Sequence, residues 1–111
     1  MNKYGARKIS LGGMTFDSEK EFNRWSELSL LQRGKEITDL KRQERFELIP
    51  AQYDEAGRLI ERPVHYVADF VYIDKRSGET VVEDTKGFKT KDYIIKRKLM
   101  LHVHKIRIRE V

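Results

Sequence analysis

The alternation of apolar and polar side chains divides the chain into helical and extended stretches. In TFDSEKEFNRWSELSLLQRGKEI, Phe22, Trp25, Leu28 and Leu31 recur at three-residue steps, with Lys20, Arg24 and Glu27 elsewhere on the wheel, which predicts an amphipathic helix. Ser18 followed by Glu21 has the form of a capping box at its start, and Gly34 marks its end. RFELIPA alternates as a strand that Pro50 terminates, and YDEAGRL reads as a turn or short hairpin around Gly57. VHYVADFVYI, rich in β-branched and aromatic residues, is the clearest strand. DKRSGE reads as a turn and TVVEDTK as the next strand. TKDYIIKRKLMLHV, with Tyr93, Ile94, Arg97 and Met100 in helical register, predicts a second helix, and KIRIREV a closing strand. Residues 1–15 are polar, basic and glycine-bearing, and read as an irregular arm. There are no repeats, linkers or low-complexity segments. The order helix, strands, helix, strand predicts a single α/β domain over residues 16–111, built on one sheet.

Length and composition narrow the function classes. A chain of 111 residues supports one core. It contains no cysteine, which excludes a disulfide scaffold and a thiolate metal site and suits a reducing cytoplasm. No apolar run approaches the roughly 18 residues of a membrane span, and MNKYGARKIS has no signal-peptide core, so the expectation is a cytoplasmic protein without a membrane partner. Charged residues make up 37% of the chain and the net charge is +5, a surplus that favours polyanions, nucleic acid first. The cations cluster in NKYGARK, in KRQER and in KGFKTKDYIIKRK.

Candidate chemistry lies in VVEDTKG. Asp84 and Lys86, two apart on a predicted strand, share a face. The neighbouring strand carries Asp69 within an apolar run. A four-residue loop, Lys75 to Gly78, sets Asp74 against Glu79 and Asp69 against Asp84; a two-residue loop, Ser77-Gly78, sets Asp69 against Lys86. Both registers gather Asp69, Asp84 and Lys86 on one face. Opposed carboxylates roughly 5 Å apart repel and need a counter-charge. Lys86 supplies part of it, and a divalent cation such as Mg²⁺, which takes one or two carboxylates plus water and phosphate, supplies the rest. An acid and a lysine so spaced more commonly form a solvated ion pair worth under about 1 kcal/mol. The second acid, in a strand too apolar for solvent, favours a site.

These residues resemble the PD-(D/E)XK nuclease signature: Asp69, then Asp84-Thr85-Lys86 on the next strand. Over GGMTFDSEKEF, ITDLKRQERFELIP, YVADFVY, VVEDTKG and the KRKLM helix, the chain is similar to small phage-encoded nucleases of that superfamily, related to Holliday-junction resolvases. The resemblance implies a restriction-endonuclease-like αβββαβ core, with a mixed central sheet flanked by helices. It further implies Mg²⁺, with Mn²⁺ able to substitute, held by Asp69 and Asp84; Glu21, or else Glu19, as an auxiliary ligand; Lys86 as the catalytic lysine; branched DNA as substrate; and a two-fold homodimer, since paired cuts need two sites. Two features depart from the pattern. Ala68 stands where the nominal motif has proline, and Glu83 is a competing acid that strand alternation turns to the opposite face from Lys86. Glu21 is also explained as the acid of the capping box.

Phosphate contacts are expected from Lys3, Arg7 and Lys8 in the arm and from Lys89, Lys91, Lys96 and Lys98 around the second helix, a solvated helix face being the plainer account of the last group. Gln43 belongs to the resembling segments and is a candidate contact to DNA or to metal-bound water. His65 alternates to the face of Asp69; His102 and His104 suit a helix C-terminus. Trp25, Phe22 and Phe70 are expected in the core. The alternatives are a nicking or restriction-like enzyme on linear duplex, a non-catalytic DNA-binding recombination accessory protein, and, more weakly, an RNA substrate.

Overall fold

A computed structural model gives the arrangement of residues 8–111. Lys3 and Arg7 lie outside the described residues. A hairpin of β1 (Ile9–Leu11) and β2 (Met14–Phe16) precedes α1 (Glu19–Arg33). The main strands are β3 (Ile37–Ile49), β6 (Val64–Asp74) and β7 (Thr80–Asp84), with a small hairpin, β4 (Gln52–Tyr53) and β5 (Leu59–Glu61), between the first two. Next come α2 (Lys91–Leu99), a π-helical turn Met100–His104, and β8 (Arg109–Glu110). The central sheet runs β3-β6-β7-β8, antiparallel except for the parallel β7–β8 pair. The chain is thus a single α/β domain with a mixed four-stranded sheet and two helices. Among the described residues, no helix is long and apolar enough to cross a membrane.

Three segments differ from the sequence expectation, the first being the closing strand expected over KIRIREV, of which only Arg109–Glu110 pairs with β7. Residues 9–16 form a hairpin closed by Gly12 and Gly13, whose φ values of 57° and 83° are those a two-residue turn with both central residues at positive φ demands. The hairpin ends in Phe16, which is fully buried. Arg42 fastens it to the sheet: its guanidinium lies 4.0 Å over the Phe16 ring, and Nη2 donates to the Thr15 carbonyl at 2.7 Å. The strand expected over RFELIPA begins as far back as Ile37, and every second residue from Asp39 to Glu47 is exposed, all of them polar, so the stretch before RFELIPA keeps the alternation of a strand.

Two apolar clusters cover the sheet. Leu28, Ile37, Phe70 and Tyr72 form one, with Trp25, Leu31 and Val81 packed against it; Tyr66, Ala68, Val82, Tyr93, Met100 and Ile108 belong to the other. Val71 pairs with Val82 and Tyr72 with Val81, and successive pairs in a ladder point to opposite faces, so the clusters lie on opposite faces, under α1 and α2 respectively. Tyr66 and Ala68 nevertheless pack on the α2 side while Phe70 and Tyr72 pack on the α1 side. The alternation of β6 therefore slips once, at Asp69. On β3 the matching residue is Gln43, which sits in the left-handed region at φ 52°, between the paired residues Arg42↔Phe70 and Glu44↔Ala68. The register is continuous across this step, with Gln43 opposite Asp69, so the change of face comes from the backbone turn at Gln43 and not from an inserted residue; the register shifts of this pair lie between Thr38/Lys41 and Glu47/Ile49.

Candidate active site

The β6–β7 hairpin closes through Lys75–Gly78: the Asp74 N–H donates to the Glu79 carbonyl at 2.9 Å, and Phe70 pairs with Glu83. The four-residue loop is thus the one adopted, and its register carried one step further sets Asp69 opposite Asp84. Asp84 is fully buried and is the last residue of β7. Lys86 therefore does not reach it through the pleat of a continuing strand. Instead the Lys86 N–H donates to Asp84 Oδ1 at 3.0 Å, a local side-chain-to-backbone turn that brings Lys86 Nζ to 3.7 Å from the same oxygen. Lys86 Nζ also lies 5.2 Å over the Tyr93 ring, and its side chain is 38% exposed.

Each acid is oriented by a neighbouring polar group. The Tyr66 hydroxyl donates to Asp84 Oδ2 at 2.7 Å. Thr85 donates twice to Asp69 Oδ2, from its N–H at 2.7 Å and its hydroxyl at 2.8 Å. Gln43 Nε2 donates to Glu21 Oε1 at 3.0 Å. Glu21, buried in the first turn of α1, forms only half of the expected capping box: its N–H donates to Ser18 Oγ at 3.1 Å, while its Oε2 accepts from the Asp17 N–H at 2.7 Å. Glu19 is exposed.

The electrostatics join the three acids. Burial pushes the Glu21 carboxyl above its ordinary value; the Asp17 N–H opposes this, the charge of Asp69 adds to it, and Arg42 lowers it. Burial likewise raises Asp84. The Tyr66 hydrogen bond opposes the rise, Asp69 adds to it, and Lys86 lowers it. Asp69 thus stands between two acids that both feel its charge.

The donor set consists of oxygen alone, as a hard divalent cation prefers, and such an ion would offset the burial and, to a smaller extent, the repulsion from Asp69 that raise Glu21 and Asp84. Asp69 turns Oδ2 to Thr85, while its Oδ1 accepts no hydrogen bond among the described residues. Asp84 has a partner on each oxygen. Among the described residues no group of three or more His, Asp or Glu side chains is placed to hold a metal ion. The residues fit a cation held by two carboxylates and completed by water or phosphate, which is how Mg²⁺ is commonly bound.

Glu83, the competing acid, faces the α1 side. Arg24 donates to it from Nε at 2.7 Å and Nη2 at 2.6 Å, the Tyr72 hydroxyl donates to it, and Arg109 lies 3.9 Å away. The slip at Asp69 interrupts the alternation that would set His65 beside Asp69, and among the described residues no hydrogen bond or ion pair joins them. His104 Nε2 bonds the Glu47 carbonyl at 2.6 Å, a structural role, and His102 is exposed. Of the basic residues, Lys8, Lys91 and Lys98 are exposed, Lys96 lines a cleft with Lys86, Tyr66 and Tyr93, and Lys89 pairs with Glu110 at 3.4 Å. Trp25 stacks on Phe70 and Phe22 meets Phe16 edge-on, as core residues should. Sequence reasoning missed Tyr66, Thr85 and Arg42. Tyr66 read as strand filling, and, three residues from Asp69, regular alternation would have turned it to the opposite face.

The sheet and this cluster define a small α/β domain with two carboxylates on adjacent strands and a lysine just past the end of the second. The chain belongs to a family described as a protein of unknown function, DUF1064, whose model matches residues 1–110. No curated protein and no solved structure matches it.

Proposed function

We propose that this chain is a metal-dependent endonuclease that hydrolyses phosphodiester bonds in branched DNA, as Holliday-junction resolvases do. The observation that carries this reading is the buried Asp84 carboxylate with the Lys86 ammonium 3.7 Å away and the charge of Asp69 acting on it. A structural ion pair does not need a second acid beside it. The element order, one helix, three sheet strands, a helix and a final parallel strand, agrees with a restriction-endonuclease-like core.

Asp69 and Asp84 would hold Mg²⁺ or Mn²⁺, with Glu21 as auxiliary. When bound, the cation offsets phosphate charge and acidifies a coordinated water. Lys86, steadied by the Tyr93 ring, orients the attacking water and stabilises the negative charge that develops on the phosphoryl oxygens. Tyr66 and Thr85 hold the two carboxylates at fixed angles, so little reorganisation is needed at the moment of reaction. Lys8, Lys91, Lys96 and Lys98, with Lys3 and Arg7 before them and Lys89 beside the site, meet the backbone of the substrate. Paired cuts at a junction call for a two-fold homodimer. The cytoplasm is the expected compartment, that of the host if the chain is phage-encoded.

One observation favours a second reading, a non-catalytic DNA-binding accessory protein: both Asp84 oxygens already have protein partners. Incubating a labelled four-way junction and its linear arms with Mg²⁺, with Mn²⁺ or with chelator, beside Asp84→Asn, separates the two. Paired nicks in the junction that vanish with chelator and in the variant support the resolvase reading. Cutting of both substrates keeps the chemistry and removes the junction preference. Binding without any cut, under either metal, leaves the accessory protein.

A further inference from the structure

At the C-terminal end of α1, against the β6–β7 turn, lies an open cleft of about 600 Å³ lined by five cationic side chains, Arg24, Lys35, Lys75, Arg76 and Arg109, and by two carboxylates, Glu36 and Asp74. Arg24 is occupied by the buried Glu83. Asp74 spends Oδ1 on the Arg76 N–H. Lys35, Lys75 and Arg76 have no ion pair among the described residues, and Arg109, half exposed, reaches only the Tyr72 hydroxyl at 3.3 Å and the edge of Glu83 at 3.9 Å. Cations gathered in a concavity without partners repel one another and concentrate positive potential there.

The turn end of the cleft, with Lys35, Lys75 and Arg76, is remote from the carboxylates, whereas Arg24 and Arg109 reach Glu83, the neighbour of Asp84 on the opposite face of the sheet. Glu21 and Lys35 mark the two ends of α1, roughly 20 Å apart at 1.5 Å per residue, and the β6–β7 turn is at the opposite end of β7 from Asp84. The one aromatic side chain lining the cleft, Tyr72, is 3% exposed and offers no ring face on which a base can stack. The chemistry therefore suits phosphate groups rather than bases.

We infer that this cleft is a second backbone site, which takes the sugar–phosphate backbone of a DNA segment other than the one at Asp69 and Asp84. It deepens the nuclease reading, on which it rests for the identity of the polyanion, and it gives a physical reason for preferring branched DNA: a second arm finds cations waiting at the far end of the sheet.

The test is the double variant Lys75→Gln/Arg76→Gln. The turn's backbone bonds, Lys75 N–H to the Glu36 carbonyl at 3.1 Å and Arg76 N–H to Asp74, do not involve the altered side chains. Binding is measured in chelator, where no cutting intervenes, to a four-way junction and to a linear duplex over a range of salt. Loss of two phosphate contacts is expected to weaken junction binding about 50-fold near 0.1 M salt and to reduce the log–log salt slope by about 1.8, with duplex binding little changed. An equal fall for both substrates would make the cleft part of the primary track and overturn the inference, as would no change in either. Failure of the nuclease reading registers elsewhere, as absence of cutting by the unaltered chain with Mg²⁺, and leaves this binding comparison intact.

Discussion

Glu83 and Asp84 are adjacent buried acids that face opposite sides of the sheet; the proposed function gives only Asp84 a part in cleavage, and Arg24→Ala tests the division. Arg24 gives Glu83 two charge-assisted hydrogen bonds, at 2.7 and 2.6 Å, and Glu83 is fully buried. Removing one partner of a buried pair costs about 3–5 kcal/mol, because the remaining charge is stranded. Here the low end applies, about 3 kcal/mol, since Tyr72 still donates and Arg109, 3.9 Å away, can close in. In a domain this small, that is roughly a 10–20 °C fall in Tm. Arg24→Met combined with Glu83→Gln removes both charges while leaving the Tyr72 hydroxyl an acceptor, and should recover most of the loss. The measurements are urea and thermal unfolding, with cleavage of a four-way junction followed under conditions where every variant is folded. Cleavage should survive in Glu83→Gln and disappear in Asp84→Asn. A cost below about 1 kcal/mol for Arg24→Ala would mean that Glu83 is hydrated and the register misassigned. Cleavage lost as completely in Glu83→Gln as in Asp84→Asn would make Glu83 the catalytic acid and refute the division outright.

Lys86→Met should abolish cleavage yet shift unfolding by less than about 1 kcal/mol, since the Lys86 side chain is 38% exposed and its pair with Asp84 is screened; unfolding curves beside a single-turnover assay check both halves. Tyr66→Phe leaves Asp84 Oδ2 without its donor, and should cost about 1–3 kcal/mol and raise the Mg²⁺ concentration needed for cleavage by roughly 10–100-fold, read by metal titration; unchanged metal dependence would remove Tyr66 from the positioning of Asp84. Glu21 and Asp84 titrate above their unfolded values in the fold, so their stabilising contribution is complete below those values and is lost as pH rises through the folded ones. Mg²⁺ should therefore raise Tm more near pH 7.5 than near pH 5, and calorimetry of Asp84→Asn should show that difference diminished.

Periodicity carried most of the architecture. Phe22, Trp25, Leu28 and Leu31 sit at helical spacing, and Leu28 is buried with Trp25 and Leu31 packed around it. The register of β6 and β7 was narrowed to two candidates, because four- and two-residue loops are both common and each gathers the same three residues; choosing between them took the Asp74–Glu79 bond. The first hairpin was legible in principle. Gly12-Gly13 between Ile-Ser-Leu and Met-Thr-Phe is a two-residue turn signal, obscured by the basic residues around it. The link between Asp84 and Lys86 was anticipated from strand alternation, yet it is made by a side-chain-to-backbone turn just past the strand, and strand ends are where alternation stops being informative.

The slip at Asp69 is what no pattern of apolar residues could disclose. Tyr66, Ala68, Phe70 and Tyr72 are evenly spaced and all buried, so the sequence reads as one strand with one inward face. In fact that row is divided between two clusters on opposite sides of the sheet, and both β3 and β6 change faces at the same step. Arg42, before the step, lies over Phe16 on the α1 side, while Phe46, after it, packs with Tyr66 on the α2 side. The price is Gln43 in a left-handed conformation that costs a non-glycine residue roughly 1–2 kcal/mol. What the step gains is position. Asp69, at the crossover, belongs to neither packed face, so its carboxylate can turn to Thr85 across the sheet while its charge acts on Glu21 under one helix and on Asp84 under the other. The same residue that bears the strain, Gln43, donates the hydrogen bond that orients Glu21. Strain held beside a cluster of acids, by a residue that also aims one of them, is better explained by the needs of a site than by those of a core.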